Sequence, residues 1–263
     1  MHRSISGARA LVTGASGGLG RAIALELARH GANVMLLARR EEKLREVSQE
    51  ISQLSNGVGR AEFVVGDVTD PAVRTTALAA MQEKFGGLDI LVNNAGVGTL
   101  ARFATGDPQF TRQVFETNFF AAVELTREAL PLLKSGRQPI VVNIGSILGH
   151  RATPQNSDYC ASKFALRGWS EALRIELAPL GIDVLLVSPG STATEFWNNL
   201  VGKQGEVPWS LKGALTADVT ARAIVRGMAH GKREIIPGFR ARWFVRGAYW
   251  VPQLFDRILK RFA

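Results

Sequence analysis

The sequence predicts an α/β chain: one doubly wound parallel sheet in a three-layer α/β/α arrangement, followed by a basic amphipathic tail. Three observations predict it. Short β-branched runs alternate with longer helical patterns over most of the 263 residues. The short runs are continuously apolar, as in strands buried on both faces by helices. The joining loops are short, and repeated β–α units of this kind connect through right-handed crossovers.

The elements follow in order. "RALVTG" (9–14) is a strand, and a helix runs from Gly18 to His30. "NVMLLA" (33–38) is a strand, followed by the helical "EEKLREVSQEISQL". "AEFVVGDV" is a strand, and Pro71 opens a helix to about Phe85. "LDILVNNAG" is a strand, and a helix spans about Pro108 to Lys134. "PIVVNIGS" is a strand, and a helix covers about Ser157 to Ala178. "IDVLLVSPG" is the next strand; a helix at about 217–230 and the short strand "REIIP" complete the series. Residues 190–215 lack clear periodicity, contain Trp197 and Trp209, and leave the carboxyl end of a strand, where ligands bind in such sheets. The domain reading is one unit over 1–237, with a substrate loop at 190–215, and an extension over 238–263.

The totals narrow the classes of function. Some 46% of residues are apolar, which argues against disorder, and a chain of this length buries a substantial core. The one cysteine, Cys160, allows no internal disulfide and fits a reducing cytoplasm. No secretory signal opens the chain, and no run of about 18 apolar residues predicts a membrane-spanning helix. No Cys/His cluster has metal-ligand spacing, so no metal site is expected. The net charge of +9 fits a nucleic acid, a membrane surface or an anionic cofactor, and its distribution must decide. No nucleic-acid motif accompanies it.

"TGASGGLG" (13–20) joins the first strand to the first helix, with Gly14, Gly18 and Gly20 spaced G-x-x-x-G-x-G. Glycines allow a tight turn and let backbone N–H groups approach a pyrophosphate at the helix N-terminus. A turn needed only for packing has the same composition, but the place between strand and helix favours nucleotide binding. After the second strand come Arg39 and Arg40, where NAD-selective sheets often carry an acid for the ribose 2′-OH. Together with Ser16, a cation there suits a 2′-phosphate and so NADP(H). The alternative is a solvated helix start in which both arginines pair with Glu41 and Glu42.

"NSDYCASKFAL" (156–166) sets Tyr159 and Lys163 four apart, on one helix face, among small neighbours such as Ala161 and Ser162. An ammonium beside a phenol lowers the phenol's pKa and makes it a usable general acid or base. Ser146 closes the strand run "VVNIGS", at the edge of the expected crevice, where its hydroxyl can polarise a substrate carbonyl. Singly, such residues are a surface pair and a helix cap; their joint occurrence points to chemistry.

Together these motifs resemble the short-chain dehydrogenase/reductase family over roughly residues 7–237. "TGASGGLG", "NNAG" (93–96), Asn118, Ser146, the Y-x-x-x-K of Tyr159 and Lys163, and "PGSTAT" (189–194) fall in the family's order. The resemblance implies a Rossmann-like fold and makes Tyr159 the proton donor or acceptor. It has Lys163 hold the nicotinamide ribose as well, Ser146 orient the carbonyl, and Asn118 fix a water in the proton path. It places Asp67, in "GDV", on the adenine, Asn93 and Gly96 in the cofactor trench, and Thr194 on the carboxamide, with Thr192 as a competitor. Leu19, Val68, Asn94, Ala95, Pro189 and Gly190 join that cofactor set. Dimers or tetramers through the two long helices around the fifth strand are a further implication.

Smaller signals remain. Cys160 is rotated about 100° from Tyr159 and reads as a small buried hydrophobe. His150 either touches substrate or is an ordinary loop residue. His30 and His230 sit near helix ends, where they suit the dipole. The tail (238–263) holds six Arg or Lys and one Asp, a net +5. Leu254, Phe255, Ile258, Leu259 and Phe262 share one helical face opposite Asp256, Arg257, Lys260 and Arg261, and Trp243, Tyr249 and Trp250 add amphipathic aromatics. That composition suits an anionic membrane surface. The alternatives are a helix docked on its own sheet or on a partner subunit, or one covering the cleft.

The functional expectation is NADPH-linked, reversible reduction of a ketone or aldehyde, with a hydrophobic substrate and a cytoplasmic location, at a membrane surface if the tail binds one. The rivals are a 3-oxoacyl carrier-protein or CoA-thioester reductase, and an NADPH-binding sensor or scaffold without turnover.

Overall fold

The structure is a computed structural model, and it describes residues 3–54, 59–198, 200–204 and 213–262. Trp209 lies outside the described residues, as do the side chains of Trp197 and Phe262.

Seven parallel strands form the sheet: β1 (Arg9–Thr13), β2 (Asn33–Ala38), β3 (Ala61–Val65), β4 (Ile90–Asn93), β5 (Ile140–Ile144), β6 (Asp183–Val187) and β7 (Glu234–Ile235). Their spatial order is β3-β2-β1-β4-β5-β6-β7. The chain therefore leaves β1 outward to β3 and returns to the other side at β4. The reversal lies between β1 and β4, where the crevice of a doubly wound sheet opens.

Successive strand residues point to opposite faces, so a continuous apolar run feeds two cores at once. Ala10 and Val12 enter one core with Ile23, Leu27, Ile224 and Met228. Leu11 enters the other with Met81, Leu125 and Leu133. The covering helices are α1 (Gly18–Arg29), α2 (Glu41–Leu54), α3 (Pro71–Phe85), α4 (Gln109–Phe115), α5 (Ala121–Lys134), α6 (Ser157–Leu177) and α7 (Ala217–Ala229). Pro71 sits in the first turn of α3 after the cap Asp70, whose carboxylate accepts from Ala72 N–H. Gly86 ends that helix in the left-handed conformation.

The amino edge of the sheet is clamped. Asp89 accepts from Arg9 Nη2 at 2.6 Å and from the backbone N–H groups of Arg9 and Arg137. Burial raises the carboxyl, but these donors outweigh it and hold Asp89 below the usual carboxylate range.

The helix expected over 108–134 runs from Gln109 to Lys134 and includes a π-helical turn, Glu116–Phe120, between α4 and α5. The tail is two helices, α8 (Phe239–Trp250) and α9 (Pro252–Leu259), because Pro252 cannot continue the first. Its supposed single apolar face is divided: Phe255 and Leu259 turn inward, while Leu254 and Ile258 are exposed. Within 190–215 the described part forms two-residue strand pairs, Thr192–Ala193 with Leu215–Thr216, and Gly202–Lys203 with Thr99–Leu100.

Candidate active site

A cavity of ≈ 690 Å³ runs along the carboxyl ends of the strands, from the glycine loop to the tail. Its first end is mostly main chain. Gly14 adopts φ +65°, which favours glycine. A Cβ on Gly20 would fall 2.3 Å from Gly14 O and 2.4 Å from Asn94 Nδ2, so only glycine lets α1 start this close to the β1 turn. Asn94 fixes the turn from β4: its Nδ2 donates to Thr13 O at 2.8 Å, and its N–H donates to Thr13 Oγ1 at 2.9 Å. Gly14, Gly17, Gly18, Leu19 and Gly20 line the cavity, and α1 aims its free N–H groups there.

The two arginines after β2 take different partners. Arg39 faces Asp67 at 3.6 Å. Arg40 lies over the loop: its Nε donates to Ser16 Oγ and its Nη2 to Ser16 O, both at 3.3 Å. Both arginines line the cavity; Ser16, Asp67 and Val68 do not. Asp67 also accepts from Thr69, and Val68 is buried in the second core. Neither arginine pairs with Glu41 or Glu42; Arg40 instead faces Glu195 at 3.7 Å.

Asn94, Ala95 and Gly96 form the floor beyond the loop. Asn93 does not join them: its Nδ2 donates to Asn143 Oδ1 and Thr126 Oγ1, tying β4 to β5 and α5. Asn118 lies behind Gly96, 1% exposed, in the π-helical turn. Its Nδ2 donates to Val97 O at 2.9 Å and Ser162 Oγ at 3.0 Å, and its Oδ1 accepts from Val97 N–H at 2.8 Å. The side chain thus joins the floor to α6.

Tyr159 and Lys163 enter from α6, both buried. Ser146, beyond the end of β5, borders the cavity with Tyr159 and caps the next turn by accepting from Leu148 N–H at 3.1 Å. The cap and the chemical reading of this serine are therefore compatible. Lys163 Nζ donates to Ile144 O at 2.9 Å and stands 5.7 Å from the Tyr159 ring centroid. The expected lowering of the phenol by the lysine does not appear. Burial pushes Tyr159 well up, and Ser146 is the group that pulls against it. Burial also lowers Lys163 to about 8, so its charge titrates close to neutrality.

The far end of the cavity is apolar. Phe196 packs on Tyr159 with ring centroids 5.6 Å apart. Ile147, Leu148, Phe239, Phe244 and Leu259 continue the wall, so the tail takes part in the cavity. Pro189, Gly190, Thr192 and Thr194 border it from the strand after α6. His150 does not line the cavity: its Nε2 faces Ser188 Oγ and Glu234, each at 3.0 Å. Cys160 is buried beside Leu148 and Tyr159 as a small apolar group.

Residues 8–205 match the family model described as short chain dehydrogenase. The chain belongs to the short-chain dehydrogenase/reductase family. It is 30% identical over 233 residues to "Dehydrogenase/reductase SDR family member 7B" of Xenopus laevis, covering 86% of this chain and 72% of that one. A short-chain dehydrogenase from Burkholderia cenocepacia J2315, solved in complex with NADP, is 32% identical and superposes with a TM-score of 0.78 over 89% of this chain and 97% of that one. The fold is matched further by a family structure from Burkholderia phymatum in complex with NAD, with a TM-score of 0.85 at 23% identity over 96% of each chain. This short-chain dehydrogenase/reductase is an oxidoreductase that uses a nicotinamide dinucleotide and acts on CH–OH or carbonyl groups. Its residues fit that cofactor: the glycine cradle leaves main chain bare at a helix N-terminus, and the cavity reaches from there to Tyr159.

Proposed function

We propose that the protein reduces a hydrophobic ketone or aldehyde, reversibly, with NADP(H). The observation that carries this is one cavity holding two arginines beside a glycine cradle at one end and Tyr159, Ser146 and Lys163 together at the other. When bound, the dinucleotide supplies or accepts the hydride. The chain's own residues handle the proton and the charge. Burial keeps the Tyr159 phenol protonated near neutral pH, so it is poised to donate to the oxygen of a substrate being reduced. Ser146 stands beside that phenol and can donate to the same oxygen, stabilising the charge that develops there. The Lys163 ammonium, held by Ile144 O, offsets the phenolate left behind. Asn118 keeps Gly96, Val97 and Ser162 in register beneath both. In the oxidising direction the same groups act in reverse.

The preference for the phosphorylated dinucleotide rests on charge. Arg39 and Arg40 both line the cavity just after β2, and planar guanidinium groups at that end favour a 2′-phosphate. Phe196, Phe239, Phe244 and Leu259 favour an apolar substrate. Assembly into dimers or tetramers through α5 and α6 is supported by the exposed Phe164 and Ile175 of α6.

The test is a panel of carbonyls and alcohols followed by nicotinamide absorbance with both cofactors. Aryl and alkyl ketones, aldehydes and an acetoacetyl thioester belong on it. The expected result is turnover of apolar ketones or aldehydes with a higher kcat/KM for NADPH. Arg39→Asp and Arg40→Asp each lower the NADPH/NADH ratio, by about 10-fold or more. Preferential turnover of the thioester identifies the carrier-protein or CoA-linked rival; binding of NADPH with no turnover identifies a sensor. An unchanged NADPH/NADH ratio in both variants removes the charge argument.

A further inference from the structure

One face of α8 meets the body through Ala241 and Ala248, both buried. The opposite face carries Phe239, Trp243 and Trp250, 67%, 50% and 67% exposed, with Arg246 among them and Arg242 beside them. Exposed apolar residues continue through the corner and along α9 at Val251, Leu254 and Ile258. Phe244 and Phe255 pack edge to face with centroids 5.5 Å apart, and Asp256 is paired with Arg151, so α9 is tied to both α8 and the body. Next to the aromatic face lies a groove of ≈ 620 Å³ whose lining includes Arg226, His230, Lys232, Arg242 and Arg246. Glu234 also lines it, but its carboxylate is engaged by His150.

We propose that this surface docks on an anionic lipid bilayer. The aromatic face of α8 enters the interfacial layer, and the basic groove beside it takes lipid phosphate groups. Charge selects this occupant. Cations beside amphipathic aromatics match anionic headgroups over a partly apolar layer. The chain's own body is already met by the other face of α8. A two-fold contact with a second copy would set this net +5 segment against itself. Among the described residues no helix is long and apolar enough to cross a membrane, so the contact is peripheral.

Docking has a consequence for the cavity. Phe239 is both exposed and part of the cavity lining, and it stacks edge to face on Trp243 with centroids 5.8 Å apart. The docked face and the cavity rim therefore meet at one side chain, and substrate reaches Tyr159 from the lipid. This part rests on the carbonyl-reductase reading; the docking itself does not.

The test is flotation of the full chain, without cofactor, on vesicles of phosphatidylcholine alone and of phosphatidylcholine with phosphatidylserine. The expected result is binding to the anionic vesicles only, weakened by salt. Arg242→Glu/Arg246→Glu lowers that binding at least about 10-fold, and Trp243→Ser/Trp250→Ser lowers it similarly, while both variants keep the wild-type rate on a small water-soluble carbonyl. Anionic vesicles raise the wild-type rate on a long-chain ketone and leave that of the charge-reversal variant unchanged. Vesicle binding that survives both double substitutions overturns the proposal. So does binding of inorganic phosphate without affinity for vesicles, or a change of oligomer mass in the variants with no vesicle binding in wild type. Vesicle binding without the rate effect removes delivery from the lipid. Vesicle binding with no carbonyl reduced at all leaves docking standing and removes the catalytic reading.

Discussion

At the glycine-loop end of the cavity the walls are main chain, and at the Tyr159 end they are side chains. The first end depends on what is missing: Gly14, Gly17, Gly18 and Gly20 leave the start of α1 bare. The second depends on what is buried: a phenol, an ammonium and a serine hydroxyl held by β5 and α6, walled by Phe196 and the tail. A backbone-built end should lose binding when a methyl group is added. A side-chain-built end should lose turnover when an oxygen is removed.

Among variants that keep Tyr159, the largest effect is expected from Ser146→Ala, which removes the hydroxyl proposed to donate to the reacting oxygen. Turnover should fall about 10²–10³-fold, with dinucleotide affinity within a few-fold of wild type. Comparable losses in both would show that the two ends are not separable. Gly20→Ala comes next. Its methyl group has no room against Gly14 O and Asn94 Nδ2, and overpacking of about 1–3 kcal/mol corresponds to roughly 10–100-fold weaker dinucleotide binding by fluorescence titration. Wild-type affinity in that variant would break the backbone account of the loop.

The pH profile sharpens the other end. Lys163 is lowered to about 8, so its ammonium is present below that pH and lost above it. Reduction should hold its rate through neutral pH and fall as pH passes about 8, because the charge that offsets the phenolate is then gone. A reduction rate that climbs through this range would contradict the assignment. Phe196→Ala is the mildest case. The ring packs against Tyr159, and losing an aromatic contact of about 0.5–1.5 kcal/mol should cost roughly 2–10-fold in kcat/KM for an apolar carbonyl, with no change in KM for the dinucleotide.

The same contrast governs what the sequence reveals. Strands β1, β2, β4, β5 and β6 are legible because a strand buried on both faces must be a continuous apolar run. The loop is legible because glycine spacing records a backbone requirement directly. Lys163 and Tyr159 are legible as a pair because helix geometry fixes i and i+4. Less legible are features that depend on distant partners. Arg40 reaches back 24 residues to Ser16, and nothing local separates it from Arg39. His150 looks like a residue at the site because it follows Ser146, yet Ser188 and Glu234, far along the chain, turn it away. The π-helical turn at Asn118 leaves no periodic signal over five residues. The rise of the Tyr159 pKa comes from burial of the phenol in a cluster with Ile147, Leu148 and Phe196, and a sequence pattern shows the neighbouring cation without showing that enclosure.

The most direct measurement is made on Tyr159→Phe, comparing dinucleotide affinity and single-turnover reduction on the same preparation. The account predicts affinity close to wild type and a rate lowered about 10²–10⁴-fold, since the phenol handles a proton while the glycine cradle and the arginines after β2 hold the phosphates. Reduction that persists at the wild-type rate would contradict it.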